Sequence, residues 1–167
     1  MLREISPYEI DNAMKLIGKD WMLISAEKDG AVNTMTASWG SMGVLWNKPV
    51  CTVFIRPQRY TYEFAEATDT LTLSFFDESY RDALRFCGTK SGRDCDKFRE
   101  CGLSYELCGS APIINEARLV IVCKKLYADD LKEEKFLTPE PLSNYKAGDF
   151  HRFYICEIEK VLIREDV

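Results

Sequence analysis

The pattern of apolar and polar positions divides the chain into strands of period two and short stretches of helical period. Trp21 to Glu27 reads as a strand, Lys28-Asp29-Gly30 as a hairpin turn, and Ala31 to about Trp39 as the returning strand. Val50 to Ile55 predicts a third strand, stopped by Pro57, and Leu71 to Phe76 a fourth. Ala117 to Tyr127 predicts a long strand that turns Leu119, Ile121 and Cys123 to one face and Val120 and Val122 to the other. Arg152 to Ile163 closes the chain as a last strand.

Between these lie shorter helical signals. Ser6-Pro7-Tyr8-Glu9 has the cap serine, first-turn proline and later glutamate of a helix start. Ile10, Ala13, Met14 and Ile17 then supply one apolar face, and Gly18 a stop. Thr61 to Ala67 predicts a short helix. Asp77 caps another that runs to about Cys87, where Gly88 stops it; a loop, Thr89-Lys90-Ser91-Gly92-Arg93, leads to a short helix near Asp94 to Cys101. Asp129 to Tyr145 is charged, contains Pro139 and Pro141, and reads as a surface excursion. About six strands without regular βαβ alternation predict a mainly β fold, an antiparallel barrel with inserted short helices. No G-x-G-x-x-G follows a strand, since Gly40-Ser41-Met42-Gly43 has the wrong spacing for a dinucleotide fingerprint.

Composition narrows the function. A chain of 167 residues suffices for one domain, 1–167, that buries roughly 70% of its unfolded surface without a disulfide or metal staple. The net charge of −5 argues against nucleic acid or an anionic membrane as the main partner. The charge is uneven, however. From Ala31 to Tyr62 there is no Asp or Glu, while Lys48, Arg56 and Arg59 fall inside that window. Either the window forms a basin for a small anion or it is a buried sheet with an interface, and the two are compatible. Met1 to Gly18 lacks the apolar run of a signal peptide and no segment reads as a membrane span, so the expected location is the cytoplasm. The seven cysteines are odd in number, scattered and free of any C-x-x-C, and His151 is the single histidine. That pattern predicts free thiols, several of them core filler, and no metal site.

Three segments combine hydroxyls, amides or small residues with positive charge: Asn33 to Trp39, Arg56 to Thr61, and Lys90 to Lys97. A phosphate monoester needs such a set, because Arg or Lys neutralises its charge while hydroxyl and backbone N–H donors orient it. Thr61, at the start of a helix, adds the favourable end of a helix dipole. The alternative is that Thr34, Thr36 and Ser38 merely alternate along the exposed face of a strand.

The run Asn33-Thr34-Met35-Thr36-Ala37-Ser38-Trp39-Gly40, followed by Pro49-Val50 and by Arg56-Pro57-Gln58-Arg59-Tyr60-Thr61, resembles the flavin reductase-like family of FMN-binding split barrels, flavoredoxins included. Ser91-Gly92-Arg93-Asp94 with Lys97-Phe98, and Gly148-Asp149-Phe150-His151, resemble further segments of that family, in the same order. The resemblance implies a six-stranded antiparallel Greek-key split barrel, homodimeric, with one FMN per subunit near the interface. It places Asn33, Thr34, Met35, Thr36, Ala37, Ser38 and Trp39 along the ring and ribityl chain, and Arg56, Arg59, Tyr60 and Thr61 around the phosphate. Lys90, Ser91, Gly92 and Lys97 complete the cofactor site, and His151 is the expected catalytic residue. The implied activity is an oxidoreductase passing hydride from NADH or NADPH through FMN to a flavin or another small acceptor. The alternative is a flavoredoxin-like carrier that exchanges electrons with a redox protein.

Overall fold

The computed structural model describes residues 2–165. Ten strands form: β1 (Leu2–Ile5), β2 (Met22–Lys28), β3 (Ala31–Ala37), β4 (Gly40–Leu45), β5 (Lys48–Ile55), β6 (Thr70–Phe75), β7 (Tyr105–Cys108), β8 (Ala111–Ile114), β9 (Leu119–Asp130) and β10 (Arg152–Arg164). Four helices punctuate them: α1 (Ala13–Lys15), α2 (Tyr60–Ala67), α3 (Arg81–Thr89) and α4 (Lys97–Cys101). The main sheet runs β3-β2-β6-β9-β10-β5-β4, with β1 added beside β10. Every pairing is antiparallel, and β7 and β8 make a separate hairpin. This is an antiparallel split barrel, mainly β as expected, but with eight strands in the main sheet where six were predicted.

Alternation along the strands divides the buried residues into two cores. Met22, Ile24, Met35, Val53, Ile55, Leu71, Leu73, Ile121, Cys123 and Tyr154 fill the inside of the curled sheet. Leu23, Val120 and Val122, on the opposite strand faces, pack against Leu84 and Cys87 of α3 and Phe98 of α4. The two-faced pattern read in β9 is therefore the seam between the barrel and the helical layer that covers it. Side chains buried to this degree contribute on the order of 1.5–3 kcal/mol each relative to exposure.

Several element boundaries differ from the sequence reading, for local reasons. The Ser6/Glu9 capping box forms, with Ser6 N–H donating to Glu9 Oε2 at 2.8 Å, yet the helix it opens is a single 3-10 turn, Pro7–Glu9. Ile10 is extended and Asn12 takes a left-handed conformation at φ 48°, capping a fresh start at α1 through its side chain. Leu16–Asp20 then forms a π turn, so Gly18 lies within a helical turn and does not stop one. The strand expected to reach Trp39 ends at Ala37, and β4 begins at Gly40. Glycine at 40 is required, since a Cβ there meets the Thr52 carbonyl oxygen of β5 at 2.9 Å. The excursion expected from Asp129 begins after Asp130, because β9 continues to pair with β10 through that residue.

Candidate functional site

The acid-free window folds into β3, β4, β5 and the start of α2. Two adjoining clefts open there and share Arg59. One, of about 220 Å³, is lined by Met35, Thr36, Ala37, Ser38, Trp39, Phe54, Arg56, Arg59 and His151. The other, about 140 Å³, is lined by residues including Arg59, Tyr60, Thr61, Lys90, Ser91 and Lys97. Residues 35–39, 54–61, 88–97 and His151, four stretches spread over more than half the chain, thus meet in one groove, aromatic at one end and cationic at the other.

The cationic end is built from spent carbonyls and unmatched charge. Lys97 is 4% exposed, and its ammonium donates to the carbonyls of Thr34 at 2.8 Å and Cys87 at 2.9 Å. Arg59 donates to the carbonyls of Gly88 at 3.1 Å and Cys87 at 3.4 Å, where α3 ends. Among the described residues no carboxylate forms a salt bridge with Arg59, Lys90 or Lys97. The strain of this arrangement is electrostatic: burial and then Arg56 lower the pKa of Arg59, while burial, with Arg59 among the neighbours, lowers that of Lys97. No side chain caps the N-terminus of α2, whose first two residues, Tyr60 and Thr61, line the cleft and bring the positive end of the helix to it. An anion entering here meets ready-made positive potential and relieves like-charge repulsion.

Asn33, Thr34 and Gly92 support this end and do not line the clefts. Asn33 is buried and donates through its amide to Thr61 Oγ1 at 2.8 Å, tying β3 to the start of α2. Gly92 lies so close that an added Cβ would sit 2.0 Å from Asn33 Oδ1, which explains a glycine in this loop. Thr34 is bonded within the barrel wall, accepting from Ser25 Oγ at 2.9 Å. Thr36 does face the helical layer, where its hydroxyl donates to the Leu84 carbonyl at 2.5 Å and its side chain touches Gly88. Met35 belongs to the barrel core and offers the groove little beyond its backbone.

At the aromatic end, Trp39 and His151 lie 5.3 Å apart between ring centroids, with Phe54 edge-on to the imidazole at 6.2 Å. The Tyr145 hydroxyl is 2.8 Å from His151 Nδ1, which leaves Nε2 as the ring nitrogen free for a ligand in the cleft. Burial, then Arg56, lowers the His151 pKa to about 4, with Asp149 opposing, so the imidazole is neutral at physiological pH. Arg56 is committed elsewhere than the sequence suggested. Its guanidinium bonds Asp149 Oδ2 at 2.5 Å and the Asn144 carbonyl at 3.0 Å, and it stacks over Tyr145 at 5.0 Å. It latches the 131–149 excursion to β5 beside His151, while Arg59, Lys90 and Lys97 stand at the cationic end. Phe54 and Tyr145 were not singled out in the sequence. Phe54 was legible as the outward residue between inward Val53 and Ile55, whereas nothing local marked Tyr145, brought in by the latch.

A second hollow, about 710 Å³, flanks Trp39 and is lined by Ala13, Met14, Ile17 and Met42 among others. Met14 is 89% exposed beside it, and Val44 of the edge strand β4 and Trp46 in the turn that follows are exposed as well.

The fold and groove define the class as far as geometry goes: a mainly β, antiparallel split barrel whose surface groove is cationic at one end and aromatic at the other. The sequence pattern of the family described as flavin reductase like domain matches residues 14–167, and the chain belongs to that family. An uncharacterised protein from Aeropyrum pernix is 29% identical over 133 residues, which make up 77% of this chain and 50% of that protein. This chain therefore spans about half the length of that curated relative. An FMN-binding domain of a flavin reductases-like enzyme from Shewanella baltica superposes with a TM-score of 0.71 at 19% identity, covering 98% of this chain and 77% of the other. A flavoredoxin from Methanosarcina acetivorans gives 0.67 at 24% identity, covering 87% and 69%. No helix among the described residues is long and apolar enough to cross a membrane.

Proposed function

We propose that this chain is a single FMN-binding domain and an oxidoreductase of the flavin reductase type, taking hydride from NADH or NADPH and delivering electrons to a flavin or another small acceptor. The observation that carries the reading is the unmatched cationic cleft joined at Arg59 to an aromatic one. A molecule that is a phosphate at one end and a planar ring at the other fits that pairing, and both the Shewanella and the Methanosarcina relatives carry flavoprotein names.

When bound, FMN would supply an acceptor for one hydride, that is two electrons and a proton, so the residues need bind and orient more than react. Arg59, Lys90 and Lys97, with the start of α2, neutralise the phosphate, and Tyr60, Thr61 and Ser91 offer polar groups beside it. Thr36 to Trp39, the end of β3 and the turn that follows it, would lie along the ring. Neutral His151 presents a hydrogen-bonding nitrogen to the ring or to a nicotinamide, held in orientation by Tyr145. The exposed apolar edge at Met14, Trp39, Val44 and Trp46 covers the groove by pairing with a second copy of the chain.

Anaerobic addition of NADH or NADPH to the FMN-loaded protein tests the activity. Rapid loss of the yellow flavin absorbance is expected, slowed in His151→Ala. A loaded protein inert to both nucleotides but reduced by a redox protein would instead make it a flavoredoxin-like electron carrier.

A further inference from the structure

The barrel interior holds a group that the groove does not use. Cys51 of β5, Cys123 of β9 and Cys156 of β10 come from three neighbouring strands, and each is at most 1% exposed. Their Sγ atoms all lie within 4.8 Å of one another, and among the described residues no other set of three His, Cys, Asp or Glu side chains comes together in this way. Strand pairing explains the convergence. Cys156 stands directly opposite Cys51, and Cys123 stands opposite Ile158, one same-face position further along β10. A shift of register between Ile155 and Cys156 adjusts β10 against β9 at this point.

We propose that Cys51, Cys123 and Cys156 form a trigonal, all-sulfur site for cuprous copper. Metal–sulfur bonds of about 2.3 Å in a trigonal plane set the sulfurs about 4 Å apart, within the spacing that the three strands already impose. Thiolates are soft ligands and select soft ions, cuprous copper foremost among those content with three donors. Zinc is disfavoured because its structural sites are four-coordinate, and no fourth donor belongs to this cluster. Loading is a ligand exchange without redox change: one Cu⁺ enters, three S–Cu bonds form, and three thiol protons leave. The product carries two net negative charges. Lys125, the cross-strand partner of Cys156 on β9, brings a cation to this part of the barrel, its ammonium donating to the Ala65 carbonyl and lying 5.3 Å from the centre of the Tyr154 ring. A sealed site of this kind fills as the chain folds, since the sulfurs are out of reach of solvent in the closed barrel.

The test is anaerobic transfer from the bicinchoninate complex of Cu(I), once to the folded protein and once during refolding from denaturant. One Cu(I) per chain is expected after refolding, with the ultraviolet charge-transfer absorbance of Cu–thiolate bonds. Cys51→Val and Cys156→Val remove the sulfur and keep the core apolar at the cost of about one added methylene, and should each lower retention at least tenfold while circular dichroism stays that of the native fold. Triple replacement of Cys95, Cys101 and Cys108 by Ser should leave uptake intact. The assignment is overturned by no uptake in either arm, by uptake that survives Cys156→Val or vanishes with the triple replacement, or by Zn(II) displacing the copper at equal concentration. None of these readouts depends on flavin.

Discussion

At the scale of single residues, anion binding in the groove depends on which cations are free. Arg56 already has Asp149, the Asn144 carbonyl and the Tyr145 ring, whereas among the described residues Arg59, Lys90 and Lys97 form no salt bridge with a carboxylate. Arg59→Ala and Lys90→Ala should each weaken FMN binding roughly tenfold to a hundredfold, the effect of losing a charge-assisted contact of about 1.5–3 kcal/mol. Isothermal titration of flavin-free protein measures it. His151 makes a second prediction, on pH. The fold holds it neutral down to about pH 4, whereas in the unfolded chain it ionises near 6.5. The folded pKa is depressed, so this contribution to stability is complete above pH 6.5 and is lost as pH falls toward 4, by up to about 3 kcal/mol. Urea unfolding of the wild type and of His151→Gln across that window should show the extra slope in the wild type alone. The sequence marked His151, Arg59, Lys90 and Lys97 because their chemistry is rare or charged. It could not separate Arg56 from Arg59, which are three residues apart and differ only in what the distant excursion brings to them.

At the scale of elements, what was legible depended on local rules. The hairpin at Asp29-Gly30 was read from its turn residues, and both take the positive φ, 53° and 82°, that such a turn demands. The β4–β5 hairpin was missed because Trp46 and Asn47 occupy the equivalent positions, at φ 52° and 57°, without a glycine between them. β4 itself is poor in strand formers, with Gly40, Ser41 and Gly43 held in place by β5. The helix read from Ser6 to Gly18 failed at Asn12, whose side chain caps the chain anew and so outcompetes a continuous helix. The loop from Lys90 to Arg93 enters the cleft with Lys90 and Ser91 and packs against Asn33 of β3 at Gly92. Gly92→Ala should push Asn33 off Thr61, destabilise the protein by about 1–3 kcal/mol and weaken flavin binding with it. Thermal denaturation with and without FMN separates the two effects.

At the scale of the whole molecule, fold class was legible because strand periodicity survives averaging over long segments, and the charge gap from Ala31 to Tyr62 pointed to the groove before its walls were known. Assembly was not, because an exposed edge such as Val44 to Trp46 looks the same in sequence whether solvent or another chain covers it. If the chain pairs as proposed, the wild type should sediment as a dimer, and Val44→Glu combined with Trp46→Glu should convert it into monomers and lower FMN affinity. The central claim, that the shared Arg59 cleft holds the phosphate of a flavin, is tested most directly by titrating flavin-free protein with FMN and with riboflavin. FMN should bind at least tenfold more tightly than riboflavin in the wild type, and Arg59→Ala should remove most of that difference. Equal affinity for the two flavins in the wild type would contradict it.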